Sequence, residues 1–146
     1  MDTQTVVRLR RVITRLSRQL NASAAGQGLT PSQASALSLI VARGPLTLNE
    51  LATLEGLNPT MVSRVVGKLD DARLIIRAPN ENDLRSATVE ATADGRHVQQ
   101  VINSQRAKVV SECLARLPRD QQDALADALG ALEALADELR DRPSEA

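Results

Sequence analysis

Residues 46–69, Leu-Thr-Leu-Asn-Glu-Leu-Ala-Thr-Leu-Glu-Gly-Leu-Asn-Pro-Thr-Met-Val-Ser-Arg-Val-Val-Gly-Lys-Leu, constrain what this chain can fold into more than any other stretch. Thr47 with Glu50 three residues on predicts a capping box, so a helix starts near Leu48. Gly56 suits the left-handed residue that ends it. Asn58 as N-cap and Pro59 at the first helical position start a second helix at little cost. Two short helices across a tight turn make a helix-turn-helix. Taken alone, the same residues also fit an ordinary helical hairpin inside a bundle.

The second helix of the pair has two unlike faces. Wound at about 100° per residue, Val62, Val65, Val66 and Leu69 form an apolar stripe that must be buried. Thr60, Ser63, Arg64, Gly67 and Lys68 form the other side, with Met61 at its margin. A face needed only for solubility mixes long side chains of both signs. This one is short, hydroxylated and positive, so another surface can come close to it, and its two cations suit phosphate or guanine. It reads as a helix that enters the major groove of DNA.

Leu74-Ile75-Ile76-Arg77 is a β-branched run of strand length. A polar, turn-rich segment from Ala78 to Ser86 follows, and Ala87-Thr88-Val89-Glu90-Ala91 alternates as a second strand. Strands flanking an exposed loop after a helix-turn-helix predict a β-hairpin wing. The combination of Leu29-Thr30-Pro31-Ser32-Gln33, the turn Gly44-Pro45-Leu46-Thr47, Glu50-Leu51-Ala52, Ser63-Arg64-Val65-Val66, Asp83-Leu84-Arg85, and Thr92 with Gly95 resembles the MarR family of winged-helix transcription regulators. Asp83-x-Arg85 matches that family's wing motif, and Thr92-x-x-Gly95 the opening of its next helix. Arg73 stands where the family commonly has glycine, and Pro118 where it has a hydroxyl cap.

The resemblance implies a mainly α fold with a small β-hairpin wing, an α+β winged helix-turn-helix with long N- and C-terminal dimerisation helices. It divides the chain into a dimerisation helix at 1–29, a DNA-binding domain at 30–91 and dimerisation helices at 92–146. It further implies a repressor that binds a pseudo-palindromic double-stranded operator as a homodimer and is relieved by a small-molecule effector. Within it, Thr60, Met61, Ser63, Arg64 and Lys68 read base edges. Thr30, Ser32 and Gln33, at the start of a capped helix, offer groups to phosphate. Asp83 and Arg85 address the adjacent minor groove. Neither effector nor operator can be read from the sequence.

Charge and composition agree. The formal net charge is zero, from 18 basic and 18 acidic residues, yet the signs are segregated. Arg8, Arg10, Arg11, Arg15 and Arg18 load the first helix. Asp120, Asp123, Asp127, Glu133, Asp137, Glu138, Asp141 and Glu145 load the last segment, leaving Arg64, Lys68, Arg73, Arg77 and Arg85 around the reading head. Affinity for DNA depends on local cations rather than on the whole-chain sum. With one histidine and one cysteine, neither a disulfide framework nor a typical zinc site is expected. There is no nucleophile–histidine–acid set and no phosphate-binding glycine loop, so we expect no enzyme and no cofactor. No long apolar run predicts a membrane span, and the arginine-studded amino end is unlike a signal peptide, which points to the cytoplasm. The competing function is a winged-helix module that binds protein without DNA; an arginine at the wing beside an aspartate argues against it.

The ends of the chain predict assembly. Leu9, Val12, Ile13, Leu16 and Leu20 mark an amphipathic helix running to a break at Gly26–Gly28. Leu125, Leu129, Leu132, Leu135 and Leu139 form a seam with no partner in a winged helix, and a second copy is the economical one. Packing back on the first helix of the same chain is the alternative. Cys113 falls among apolar residues of the long helix after the wing and is expected to be buried. His97 reads as a surface or junction residue, and Asp70 and Asp71 as facing solvent or nearby arginines.

Overall fold

The computed structural model describes residues 1–22 and 27–142, with the side chains of Leu84 and Arg85 outside that description. Gly26 and Glu145, singled out above, lie outside the described residues. The elements are α1 (Thr3–Ala22), α2 (Pro31–Arg43), β1 (Leu46–Thr47), α3 (Leu48–Glu55), α4 (Pro59–Asp71), β2 (Ile75–Asn80), β3 (Asp83–Ala91), α5 (Ala93–Leu114) and α6 (Arg119–Arg140). They form two compact units, Met1–Arg106 and Ala107–Ala146, and the division falls within α5.

The first unit is built around one aliphatic cluster. Leu37 and Ile40 of α2, Leu51 of α3, Val62, Val66 and Leu69 of α4, Val89 of β3 and Ile102 of α5 are its largest fully buried side chains. With no Phe, Tyr or Trp in the chain, branched aliphatics alone must fill the space between helices and sheet. Each such side chain contributes about 1.5–3 kcal/mol on burial. The sheet has the order β1-β3-β2 and is antiparallel throughout. Leu46 pairs with Val89 and Ile75 with Ala91, all four buried, so one sheet face joins the cluster.

The helix-turn-helix forms as its sequence signals require. Thr30 and Gln33 complete a reciprocal capping box at the start of α2, with both bonds at 3.2 Å. At α3 only half of the expected box forms. Thr47 Oγ1 accepts from the Glu50 N–H at 3.1 Å, while the Glu50 carboxylate stays in solvent and does not bond back. Gly56 takes φ 64°, the Leu57 N–H donates to the Ala52 carbonyl at 3.1 Å, and Asn58 Oδ1 caps α4 at the Met61 N–H, 2.9 Å away.

The same C-terminal motif closes α4 with an arginine in the glycine position. Arg73 has φ 60°, its N–H donates to Asp70 O at 2.9 Å and that of Leu74 to Leu69 O at 3.0 Å. Leu69 and Leu74 are both buried, the apolar contact that accompanies this ending. The exposed Arg73 therefore holds a left-handed backbone that favours glycine.

The wing departs from expectation. Its strands reach Asn80 on one side and start at Asp83 on the other, so most of the segment expected as a loop is paired strand and the turn is only Glu81–Asn82. Asp83 and Arg85 lie on β3 rather than on a loop. Cross-strand hydrogen bonding holds this polar stretch extended, which hydrophobic alternation could not signal. β1, too short for periodicity, was also not foreseen. Cys113 is exposed, against expectation, because none of the described residues covers that part of α5. Neither α1 nor α6 has a buried residue, and Leu16, Leu129 and Leu139 are more than half exposed. No described helix is long and apolar enough to cross a membrane.

Thr92 joins α4 to α5. Its hydroxyl donates to Arg73 O at 2.8 Å and accepts from the Gly95 N–H at 3.0 Å, while its own N–H donates to Leu74 O at 3.1 Å. A Cβ on Gly95 would run into the Leu74 carbonyl oxygen. Arg73→Gly is expected to raise stability by about 0.5–1 kcal/mol, the left-handed strain being partly offset by the freer unfolded chain. Gly95→Ala is expected to lower it by about 1–3 kcal/mol through overpacking. Thermal denaturation at matched protein concentration checks both signs.

Candidate nucleic-acid interface

The outer face of α4 follows from the burial of its inner one. Val62, Val66 and Leu69 are essentially inaccessible, which fixes the rotation of the helix and turns Thr60, Met61, Ser63, Arg64 and Lys68 to solvent. Pro59 and Asn58 fix where the helix begins, so the register of these side chains along the axis is also set. Between Thr60 and Lys68 this face carries two cations and no carboxylate. Asp70 and Asp71 follow one turn later. Asp70 faces Arg77 of β2, Oδ2 to Nε 3.5 Å, with both side chains nearly half exposed. That pair withdraws one wing cation and one carboxylate from the field around α4, and it contributes little to stability.

Two further parts flank α4. At the start of α2, Thr30 and Ser32 are exposed and Gln33 is half-buried. The capping box occupies the Thr30 oxygen and Gln33 Oε1, so the donors left for phosphate are the two hydroxyl protons and the Gln33 NH2 group. On the other side stands the wing, with Asp83 exposed and paired in register with Asn80 across the turn. The Arg85 side chain is outside the described ones. The structure thus brings the α4 residues together on one face and sets the α2 and wing residues on separate elements.

Sequence reasoning missed the bonds that hold these parts to one another. Ser35 Oγ donates to the Glu55 carboxylate at 2.9 Å, tying α2 to the end of α3 just before the turn. Twenty residues of separation leave no local signal for it. Thr92 reads from the sequence as the start of a helix, while its bond to Arg73 O, 19 residues away, leaves no local signal either.

The MarR family model matches residues 29–87. An uncharacterized HTH-type transcriptional regulator of Mycobacterium bovis is 32% identical over 126 residues, covering 86% of this chain and 88% of its own length. A transcriptional regulator from Thermotoga maritima superposes with a TM-score of 0.75 at 20% identity, over 97% of this chain and 100% of that one. A mutant of MepR from Staphylococcus aureus, solved bound to an oligodeoxyribonucleotide, superposes with a TM-score of 0.64 at 18% identity, over 92% and 99% of the two chains.

Gly67 occupies the middle of this face, and no close approach among the described residues requires it. A Cβ built there meets no atom within 4 Å, and its φ is helical, yet glycine inside a helix costs about 0.5–1 kcal/mol relative to alanine. Gly67→Ala is therefore expected to raise thermal stability and, where this face is the one that meets DNA, to weaken binding through the methyl group it adds there. Denaturation and fluorescence anisotropy on the same variant check the opposed signs. Equal or tighter DNA binding would show that this glycine serves no close approach.

Proposed function

This chain belongs to the MarR family of winged helix-turn-helix transcription regulators, and from that premise we propose that it is a homodimeric repressor of a pseudo-palindromic operator. The observation that carries the reading is the solvent face of α4, cationic and free of carboxylates from Thr60 to Lys68 on a helix whose rotation is fixed by burial. In this reading Arg64 and Ser63, with Thr60 and Met61 beside them, contact base edges. Lys68, and the donors of Thr30, Ser32 and Gln33, bind phosphate. Arg85 enters the minor groove, where narrow A·T-rich tracts concentrate negative potential. Asp83 accepts from that guanidinium and holds its direction. The DNA complex of the staphylococcal neighbour supports this use of the fold.

The uncovered apolar residues of α1 and α6 support the dimer. For relief by an effector, the supporting feature is an open surface groove lined by Ile13, Thr14, Ser17, Arg18, Asn21 and Pro31, all solvent-exposed in the single chain. It opens where α1 meets the start of α2, the helix that backs α4. Lacking aromatic walls, it suits a ligand held by aliphatic contacts and a few hydrogen bonds.

Footprinting on the DNA upstream of the protein's own coding region tests the proposal. Protection is expected in two half-sites with centres about one helical turn, or a multiple of it, apart. Protection no stronger than on unrelated DNA leaves the fold as a protein-binding module. Arg64→Ala is expected to cost about 1–3 kcal/mol and to relax specificity at one base pair, while Lys68→Ala weakens all sequences alike and lowers the salt slope by about one. Asp83→Ala is expected to weaken binding, although charge alone predicts the reverse. Light scattering at micromolar concentration should return a dimer, and a stable monomer would remove the paired half-sites.

A further inference from the structure

Side-chain hydrogen bonds order the wing tip, and we infer that Asn80 is the residue that positions the wing for the minor groove. Asn80 is the last residue of β2, at the irregularity in strand register between Pro79 and Asn80. Its Oδ1 accepts from the Asn82 N–H at 3.1 Å, closing the turn from within. Its Nδ2 donates across the hairpin to Ser86 Oγ at 3.1 Å, and the Ser86 hydroxyl in turn reaches the Asp83 carbonyl at 3.4 Å. One amide therefore grips the chain on both sides of Asp83-Leu84-Arg85. The hydroxyl relay pins the Asp83 peptide as well.

This arrangement is needed where it occurs. Asn80 is the partner of Asp83 in register, and the tip around it is exposed and polar, with Glu81, Asn82 and Asp83 all in solvent. From Asn80 to Asp83 no side chain is apolar, so the described tip has no apolar packing of its own. A short hairpin end without a hydrophobic face is marginal in water, and a loosely held arginine spends part of its interaction with DNA on being ordered. Local hydrogen bonds from an asparagine are the available means of ordering such a turn in advance.

The inference rests on the reading of Arg85 as the minor-groove contact, and a double-mutant cycle separates the two. The probe is the tightest duplex that the parent protein selects from a random-sequence pool, with affinities measured by anisotropy for the parent, Asn80→Ala, Arg85→Ala and the double variant. Asn80→Ala is expected to bind about tenfold more weakly than the parent, equivalent to about 1.4 kcal/mol. In the Arg85→Ala background the same substitution should cost less than about twofold, since coupled residues are non-additive. Ser86→Ala, which breaks the relay without touching Asn80, should show a smaller loss with the same dependence on Arg85, and it carries the test if Asn80→Ala does not fold. A loss undiminished in the Arg85→Ala background, or no loss at all, overturns the role of Asn80 alone. Parent-like binding by Arg85→Ala overturns the minor-groove reading and this inference with it.

Discussion

The seating of Val62, Val66 and Leu69 against Leu37, Ile40 and Leu51 is the contact on which the proposed reading surface depends. A helix in solution has no preferred rotation, and the cluster gives this one a single rotation. Because the cluster is wholly aliphatic, its specificity comes from shape and close packing rather than from ring geometry or buried polar bonds. A truncation there costs stability and also turns the outer residues out of line. Core and site are, in this small unit, the two sides of one helix.

Polar bonds then fix what the cluster leaves loose. Ser35 and Glu55 hold the entry to the turn, the left-handed Gly56 and Arg73 close the two helices, and Thr92 fastens the exit to α5. The helix closures and Thr92 act on backbone at element ends, where helices have unpaired groups, whereas Ser35 and Glu55 join side chain to side chain. Charge is arranged to the same effect: Asp70 is drawn to Arg77 at the far end of α4, clear of the first turns that carry Thr60, Ser63 and Arg64.

Much of this was legible in the sequence, for identifiable reasons. Caps, turn glycines and helical periodicity are local signals, so Asn58-Pro59, Gly56 and the stripe of Val62, Val66 and Leu69 announced α3 and α4 to within a residue. The exposed roles of Thr60, Ser63 and Arg64 follow from that stripe by exclusion. Contacts between distant residues left no such trace. β1 is two residues long, the polar ends of β2 and β3 are strand only because they pair, and the Ser35–Glu55 bond spans elements. At Cys113 an apolar neighbourhood in sequence does not mean burial: Val109, Val110 and Cys113 all face solvent in the isolated chain.

The Thr92 fastening has a mechanical consequence. It binds the residue that closes α4 to the first turn of α5 through the Thr92 hydroxyl, while the Thr92 N–H holds the next carbonyl, that of Leu74. Gly95 brings the same turn so close to Leu74 that a methyl group would not fit between them. A displacement of the first turn of α5 is therefore passed directly to the end of α4 rather than absorbed by a flexible linker.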